Sequence, residues 1–547
     1  MSNEIEWWKN GTIYQIYPKS FQDTTGSGTG DIIGIIKRLD YLQTLGVDAL
    51  WLTPMYSSPQ VDNGYDVADY YTIDPTYGTM PQFEQLIAET HRRGIRIVMD
   101  MVFNHTSTKH EWFLRSQDGD SEFRPFYIWR DPAENGGPPN NWRSKFGGSA
   151  WQWHEASGQY YLHLFSTEQA DLNWEYPPVR EALKSVCRFW AQKGVDGLRL
   201  DVVNLVSKQQ DYLPDEIGDG RRFYTDGPRI HEFLHEFSRD VFKPLGLMTV
   251  GEMSSTRLED CRRYAANDGS ELSMTFNFHH LKVDYLNGNK WTDAAPDYVL
   301  LKQIFREWQQ GMHGYAWNAL FWCNHDQPRI VSRFGDEDSL RVPSAKMLAM
   351  VLHGMQGTPY IYQGEEIGMT NPGFTCIEQY RDVESLNMYA ELKRAGRNDE
   401  DLLSILAGKS RDNSRTPMQW SADPQAGFSA GAPWIPVAHN ADRINVERAL
   451  TDHDSVFYLY QRLAQLRKSV SLLTEGDYQD LLPDHPFIWC YTRSAAGKTL
   501  RVLANLSGQE QAVPLAELSG KVLLHNYNEA ARTGCLRPYE CIWQLAE

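Results

Sequence analysis

Four short strings hold most of the reactive side chains of this chain: DMVFNH at 100–105, GLRLD at 197–201, VGE at 250–252 and NHD at 324–326. Each closes an apolar run, and a single acid in such a place is commonly an ion-paired structural group. Four such ends meeting at one mouth are hard to reconcile with packing alone, because unpaired buried charge is costly. Side chains alternate along a strand, so Arg199 and Asp201 share a face while Leu198 and Leu200 take the other. The guanidinium is expected to hold Asp201 ionised at a lowered pKa, which suits a nucleophile. Glu252 ends the apolar run LMTVGE, where desolvation is expected to raise its pKa and keep it protonated as an acid. Two carboxyls whose surroundings push their pKa values apart are the pair that glycoside hydrolysis uses. Asp326, beside His325, is a third carboxylate, suited to binding sugar hydroxyls and to favouring an oxocarbenium-like transition state.

These strings need a scaffold that gathers strand ends. Apolar, β-branched runs occur at 12–17, 49–53, 95–103, 197–203, 248–252, 273–278, 319–324 and 359–363. Helical spacing lies between them at 31–45, 83–93, 179–192, 228–242 and 344–355. Eight strands alternating with helices predict an α/β fold, a (β/α)8 TIM barrel, whose chemistry sits at the C-terminal strand ends. The barrel is expected over 1–104 and 176–472. The interval 105–175, rich in Asn, Gly, Pro and Trp, is too long for an ordinary βα loop and reads as an inserted subdomain after strand three. Alternating β-type runs from 473 onward predict a C-terminal all-β domain, a β-sandwich over 473–547.

Among 547 residues, 71 acids against 53 bases give a net charge of −18, which argues against nucleic acid and anionic membrane surfaces as partners. An anionic ligand would need a local basic pocket. The seven cysteines form no CxxC pair and read as reduced core thiols. No signal-like start and no membrane-spanning apolar run are visible, so a cytoplasmic location is expected. Aromatics make up 12% of the chain, which fits either a large core or a sugar site, and composition does not choose between them.

The four strings, together with QADLN at 169–173, resemble the ordered segments of the α-amylase family of retaining glycoside hydrolases, and the resemblance spans nearly the whole chain. It implies Asp201 as nucleophile, Glu252 as general acid/base and Asp326 as transition-state stabiliser. It further implies that His105, Arg199 and His325 line the same subsite, with Tyr65 as a stacking platform. Within the family, YQIYPKSF near the start, NGYD at 63–66 and RDNSRTPMQW at 411–420 resemble the oligo-1,6-glucosidase group, which removes one glucose from a non-reducing end. There Asp62 and Arg411 would close the pocket around the terminal sugar, and Val202 after the nucleophile matches members acting on α-1,6 bonds. A closed pocket makes starch a poor substrate.

The informative departure from that group is FNFHHLKVDY at 276–285, where His279 and Lys282 replace acidic residues and Lys290 follows. A basic cluster in so acidic a chain would favour a phosphate dianion. His279, His280, Lys282 and Lys290 are therefore candidate phosphate contacts, with Arg221 and Arg222 nearby. A solvated loop with ordinary lysines is the plainer alternative. The stretch resembles family members that act on a phosphorylated disaccharide, and the implied reaction is hydrolysis of trehalose 6-phosphate to glucose and glucose 6-phosphate. The rivals are an α-glucosidase or oligo-1,6-glucosidase acting on uncharged oligosaccharides, a glucosyl-transferring relative, and a non-catalytic transporter subunit.

The loop DTTGSGTGD at 23–31 stands where relatives carry a calcium-binding turn. Asp23 and Asp31 are candidate ligands for a structural Ca²⁺ or Mg²⁺, although Thr25 and Ser27 are weak donors for a hard cation. A Gly-rich turn without metal is the alternative, and the chemistry itself requires no cofactor. His110, His154, His163 and His235 read as surface or core groups, and Cys323 as barrel packing.

Overall fold

The computed structural model describes residues 6–515, 520–529 and 532–546. All eight apolar runs are strands: β1 (Ile13–Ile16), β2 (Ala49–Leu52), β3 (Arg96–Met101), β4 (Gly197–Leu200), β5 (Met248–Glu252), β6 (Met274–Phe276), β7 (Ala319–Leu320) and β8 (Thr358–Tyr362). They pair in parallel in the order β6-β5-β4-β3-β2-β1-β8-β7. A parallel bridge between Thr275 and Asn318 joins the two ends and closes the barrel. The register sets Arg199 on β4 directly opposite Asp100 on β3. Glu252, at the end of β5, lies opposite Phe276 on β6.

Strands buried on both faces read as continuous apolar runs, which is why these eight stand out. Several end earlier than the apolar run because the chain turns out of the sheet there. After β4, Val202 adopts φ 36°, ψ 39°, a left-handed conformation costly for a β-branched residue. The segment expected as one helix over 31–45 is two, Ile32–Lys37 and Leu39–Leu45. They part at Arg38, whose guanidinium reaches Gln22 and lies 4.0 Å over the Trp420 ring. The segment expected over 228–242 is an α-helix, Ile230–Phe237, that widens into a π-turn at Ser238–Phe242.

Between β3 and β4, a three-stranded antiparallel sheet (Trp129–Arg130, Gln159–Leu162, Trp151–His154) packs Trp142 and Trp151 with Tyr212, Phe223 and Tyr224 of the segment after β4 in a separate aromatic cluster. Gln169–Asp171 then pairs with His105–Ser107 and ties this region back to the barrel mouth. After the barrel come five antiparallel strands: β9 (Asp477–Asp480), β10 (Ile488–Ala495), β11 (Lys498–Asn505), β12 (Lys521–His525) and β13 (Cys541–Ala546). Their order is β9-β10-β11-β13-β12, and a separate two-stranded ladder pairs Gln511–Ala512 with Cys535–Leu536. Lys302, buried on the helix Tyr298–Met312, donates to the carbonyls of Leu482, His485 and Ile488 and anchors this module. Among the described residues no helix is long and apolar enough to cross a membrane.

Candidate active site

The C-terminal strand ends of the barrel do converge, and Arg199 is their hub. It is 1% exposed, with Nη1 2.8 Å from Asp100 Oδ1 and 2.6 Å from Asp201 Oδ1, while Nη2 pairs with Glu252. One guanidinium thus bridges acids from three adjacent strands. The left-handed turn at Val202 aims its backbone N–H at Glu252 Oε2, 3.4 Å away.

The ionisation of the pair differs in part from the sequence expectation. Burial pushes Glu252 up to about 8, against the pull of Arg199. Asp201 was expected below the usual carboxylate range, yet burial carries it up to about 6; Arg199 opposes the rise and the Asp100 carboxylate adds to it. The correction has a simple cause. One cation shared among three buried acids cannot offset the desolvation of each. The two values still differ in the sense that separates nucleophile from acid.

Asp326 behaves oppositely. Burial would raise its pKa, but His325, Arg411, Arg415 and Arg199 hold it far below the ordinary value. Its Oδ1 lies 2.7 Å from Arg415 Nη2 and 3.3 Å from Arg411 Nη1. It is a permanent anion beside a titrating pair.

His325 is fully buried and its pKa falls to about 3, first through burial, so the ring is neutral. Nδ1 meets Gln15 Nε2 at 2.8 Å, and Nε2 lies 3.3 Å from Asp326 Oδ2 without hydrogen-bond geometry, with no other partner among the described residues. Tyr65 stacks on this ring at 5.2 Å, nearly parallel, and its hydroxyl donates to Asp100 Oδ2 at 2.9 Å. His105 Nε2 is 3.0 Å from the Tyr65 carbonyl and 3.2 Å from Gln169 Nε2. Asp62 accepts from Arg411 Nη2 at 3.2 Å and from Gln169 Nε2 at 3.1 Å, and burial raises it to about 6. Arg411 also pairs with Asp382 at 2.5 Å. Asp201, Glu252, Asp326, Asp62, Tyr65, His105, Arg199, His325 and Arg411 therefore form one connected constellation.

Above it opens a cleft of about 870 Å³, counting space continuous with solvent, lined among others by Phe165, Glu252, Lys282, Tyr285, Asp326 and Arg411. Of the four candidate phosphate contacts, only Lys282 lies there without an acidic partner among the described residues. Lys290 lines the cleft but forms an ion pair with Glu384 at 2.7 Å. His280 is a correction: it is 4% exposed, packs on Phe305, Phe321 and Trp322, and meets the Phe321 carbonyl at 2.8 Å. Burial drops its pKa to about 3, so it brings no charge. His279 is corrected likewise, for its Nε2 is 2.7 Å from the Thr256 carbonyl, its ring packs on Trp308, and burial lowers its pKa.

The turn at 23–31 lends the metal reading no support. Asp23 Oδ1 accepts the N–H groups of Thr25 and Gly26, and Oδ2 accepts Gly28 N–H and the Ser429 hydroxyl. Asp31 caps the helix at Gly34 and takes the N–H and hydroxyl of Thr24. Backbone N–H groups and hydroxyls already engage both carboxylates, a poor match to the several charged oxygens a hard cation prefers. Among the described residues no group of three or more His, Cys, Asp or Glu could hold a metal ion.

Sequence reasoning missed Asp100, Gln169 and Arg415, although all three lie inside strings already singled out. It also missed Lys145, Asp382 and Glu384, for which no local signal exists.

The catalytic-domain model of the α-amylase family matches residues 15–476. A trehalose-6-phosphate hydrolase from Escherichia coli strain K12 is 67% identical, with all of both chains covered. A structure of a trehalose-6-phosphate hydrolase variant from Bacillus licheniformis, in complex with PNG, is 55% identical, covers 99% of this chain and 100% of that one, and superposes with a TM-score of 0.96. An oligo-1,6-glucosidase from Halalkalibacterium halodurans is 48% identical with 98% of each chain covered. On the family match and on these identities over full length, the chain belongs to the α-amylase family of glycoside hydrolases.

Proposed function

We propose that the protein hydrolyses trehalose 6-phosphate to glucose and glucose 6-phosphate with retention of configuration. The observation that carries this reading is a single guanidinium that binds both Asp201 and Glu252 beneath a cleft with an unpaired lysine at its side. Two carboxyls from adjacent strands on one guanidinium suit the close pair of a retaining enzyme, about 5–5.5 Å apart, and not the wider inverting pair.

In the forward direction, protonated Glu252 gives its proton to the bridging oxygen as Asp201 attacks the anomeric carbon. Glucose 6-phosphate departs and a β-linked glucosyl-enzyme remains. Glu252, now a carboxylate, takes a proton from water, whose oxygen attacks the same carbon and releases α-glucose. Asp326, anionic throughout, stabilises the positive charge that develops on the ring. His105, His325 Nε2, Asp62 and Arg411 are the groups that would grip the non-reducing glucose, with Tyr65 beneath its apolar face. Lys282 stands where the second ring and its phosphate would emerge. The two carboxyls supply both proton transfer and nucleophile, so no cofactor enters the scheme. A cytoplasmic setting is supported by seven free cysteines, five of them buried.

The test is product analysis by proton NMR with trehalose 6-phosphate, trehalose, isomaltose and maltose at equal concentration. The expected result is preference for the phosphorylated sugar and first appearance of the α-anomer of glucose. Preference for isomaltose would favour an oligo-1,6-glucosidase, and a β-anomer would remove the retaining mechanism.

A further inference from the structure

Lys145 stands in the segment between β3 and β4, and it lines the same cleft as Glu252 and Lys282. Its Nζ is 3.0 Å from the hydroxyl of Ser254, two residues beyond Glu252, and 5.8 Å from the centre of the Tyr224 ring. Lys282 approaches from the loop after β6, and Arg221 from the short helix Arg221–Tyr224 after β4.

The cations around this cleft divide into two kinds. Lys290 is matched by Glu384, Arg222 by Asp215 at 2.9 Å, and Arg221 by Asp219 at 3.4 Å. Lys145 and Lys282 have no acidic partner among the described residues, although both are largely withdrawn from water. Burial first, then Arg221 and Lys282, lower the pKa of Lys145 to about 7, with Glu252 and Asp219 only partly opposing them. Burial and Arg221 lower Lys282 as well. Two ammonium groups from separate elements, placed to repel each other across one opening, are costly in the free protein. A dianion between them would convert that repulsion into two charge-assisted hydrogen bonds.

We propose that Lys145 and Lys282 form a two-sided clamp on the substrate phosphate, with Lys145 a specificity-determining residue that closes over the barrel mouth. The inference rests on the preceding reading that the substrate carries a phosphate monoester. It also adds a proton to binding. A phosphate monoester is dianionic above its second pKa of about 6, whereas free Lys145 begins to lose its proton near pH 7. Binding at pH 8 therefore draws one proton from solvent onto Lys145, and affinity for the phosphorylated sugar falls as pH rises further.

The experiment compares kcat/KM for trehalose 6-phosphate with kcat/KM for unphosphorylated trehalose, whose leaving group needs the same proton from Glu252, taken as a ratio, in wild type, Lys145→Met and Lys145→Arg between pH 6 and 9. Losing one charge-assisted contact should lower the ratio about 10- to 100-fold in Lys145→Met. Lys145→Arg, whose charge does not titrate in this range, should keep most of the ratio and lose its decline above pH 7. Calorimetry with glucose 6-phosphate at pH 8, in two buffers of different ionisation enthalpy, should show proton uptake in wild type and none in Lys145→Arg. A ratio for Lys145→Met within twofold of a wild type that still prefers trehalose 6-phosphate would overturn the clamp and leave the substrate intact. Indifference of the wild type to the phosphate would overturn both.

Discussion

Replacing Glu252 with Gln while scanning pH isolates the acid from the nucleophile. In the wild type, Asp201 must be ionised and Glu252 protonated, and burial sets these at about 6 and about 8. The pair titrates as a unit, so the profile reports two limbs belonging to the dyad. Activity should plateau near neutrality and fall to about a tenth of the plateau one pH unit beyond each limb's midpoint, near pH 5 and near pH 9. Burial also raises Asp62 and Asp100 to about 6, so the acid limb should be steeper than loss of a single charge. The assay is kcat/KM on an unactivated, uncharged α-glucoside, which needs leaving-group protonation and keeps the phosphate out of the profile. In Glu252→Gln the rate should drop about 10²–10⁴-fold, the range for a general acid, and the alkaline limb should vanish while the acid limb stays. An alkaline limb that survives the substitution would assign it to another group. An acid limb near pH 4 would mean that Arg199, and not desolvation, governs Asp201.

Three further outcomes follow from the same contacts. Lys282→Ala should lower the ratio of kcat/KM for trehalose 6-phosphate to that for an aryl glucoside by about 10-fold or more, and equal losses on both would remove the phosphate argument. Arg411→Lys cannot hold Asp62, Asp326 and Asp382 together, so KM for every glucoside should rise about 10-fold or more through loss of the forked contacts; an unchanged KM would show that this wall does not hold the sugar. Asp284→Ala strands Arg333 and Lys409, which it pairs with at 2.7 and 2.5 Å inside the protein. Urea unfolding should register about 3–5 kcal/mol of destabilisation, and a change below 1 kcal/mol would mean that water reaches both cations.

Much of this protein is legible along the chain because barrel architecture is written in local periodicity. Eight apolar runs became eight parallel strands, and acids at their ends were bound to meet, since a closed parallel barrel sends every C-terminal strand end to one rim. His105, Arg199, Asp201, Glu252, His325 and Asp326 were visible for that reason. Asp62, Tyr65 and Arg411 lie outside the strands and were visible only through a resemblance, yet they join the same constellation.

Charge was less legible, the raised pKa of Glu252 being the exception. Whether a histidine or lysine is a free cation depends on neighbours that arrive from distant segments. His280 looked basic and is a neutral core ring under Phe321, and Lys290 looked free and is matched by Glu384. Asp201 looked acidified by Arg199, but the same guanidinium also serves Asp100 and Glu252, so desolvation prevails. Lys145, on a segment with no motif at all, stands at the cleft because the inserted sheet folds over the barrel. The order of residues along the chain determined which groups reach the rim, for strand pairing and side-chain alternation are properties of neighbours in sequence. Tertiary structure alone decided their protonation, because solvent exclusion and Coulomb interaction depend on distance in space.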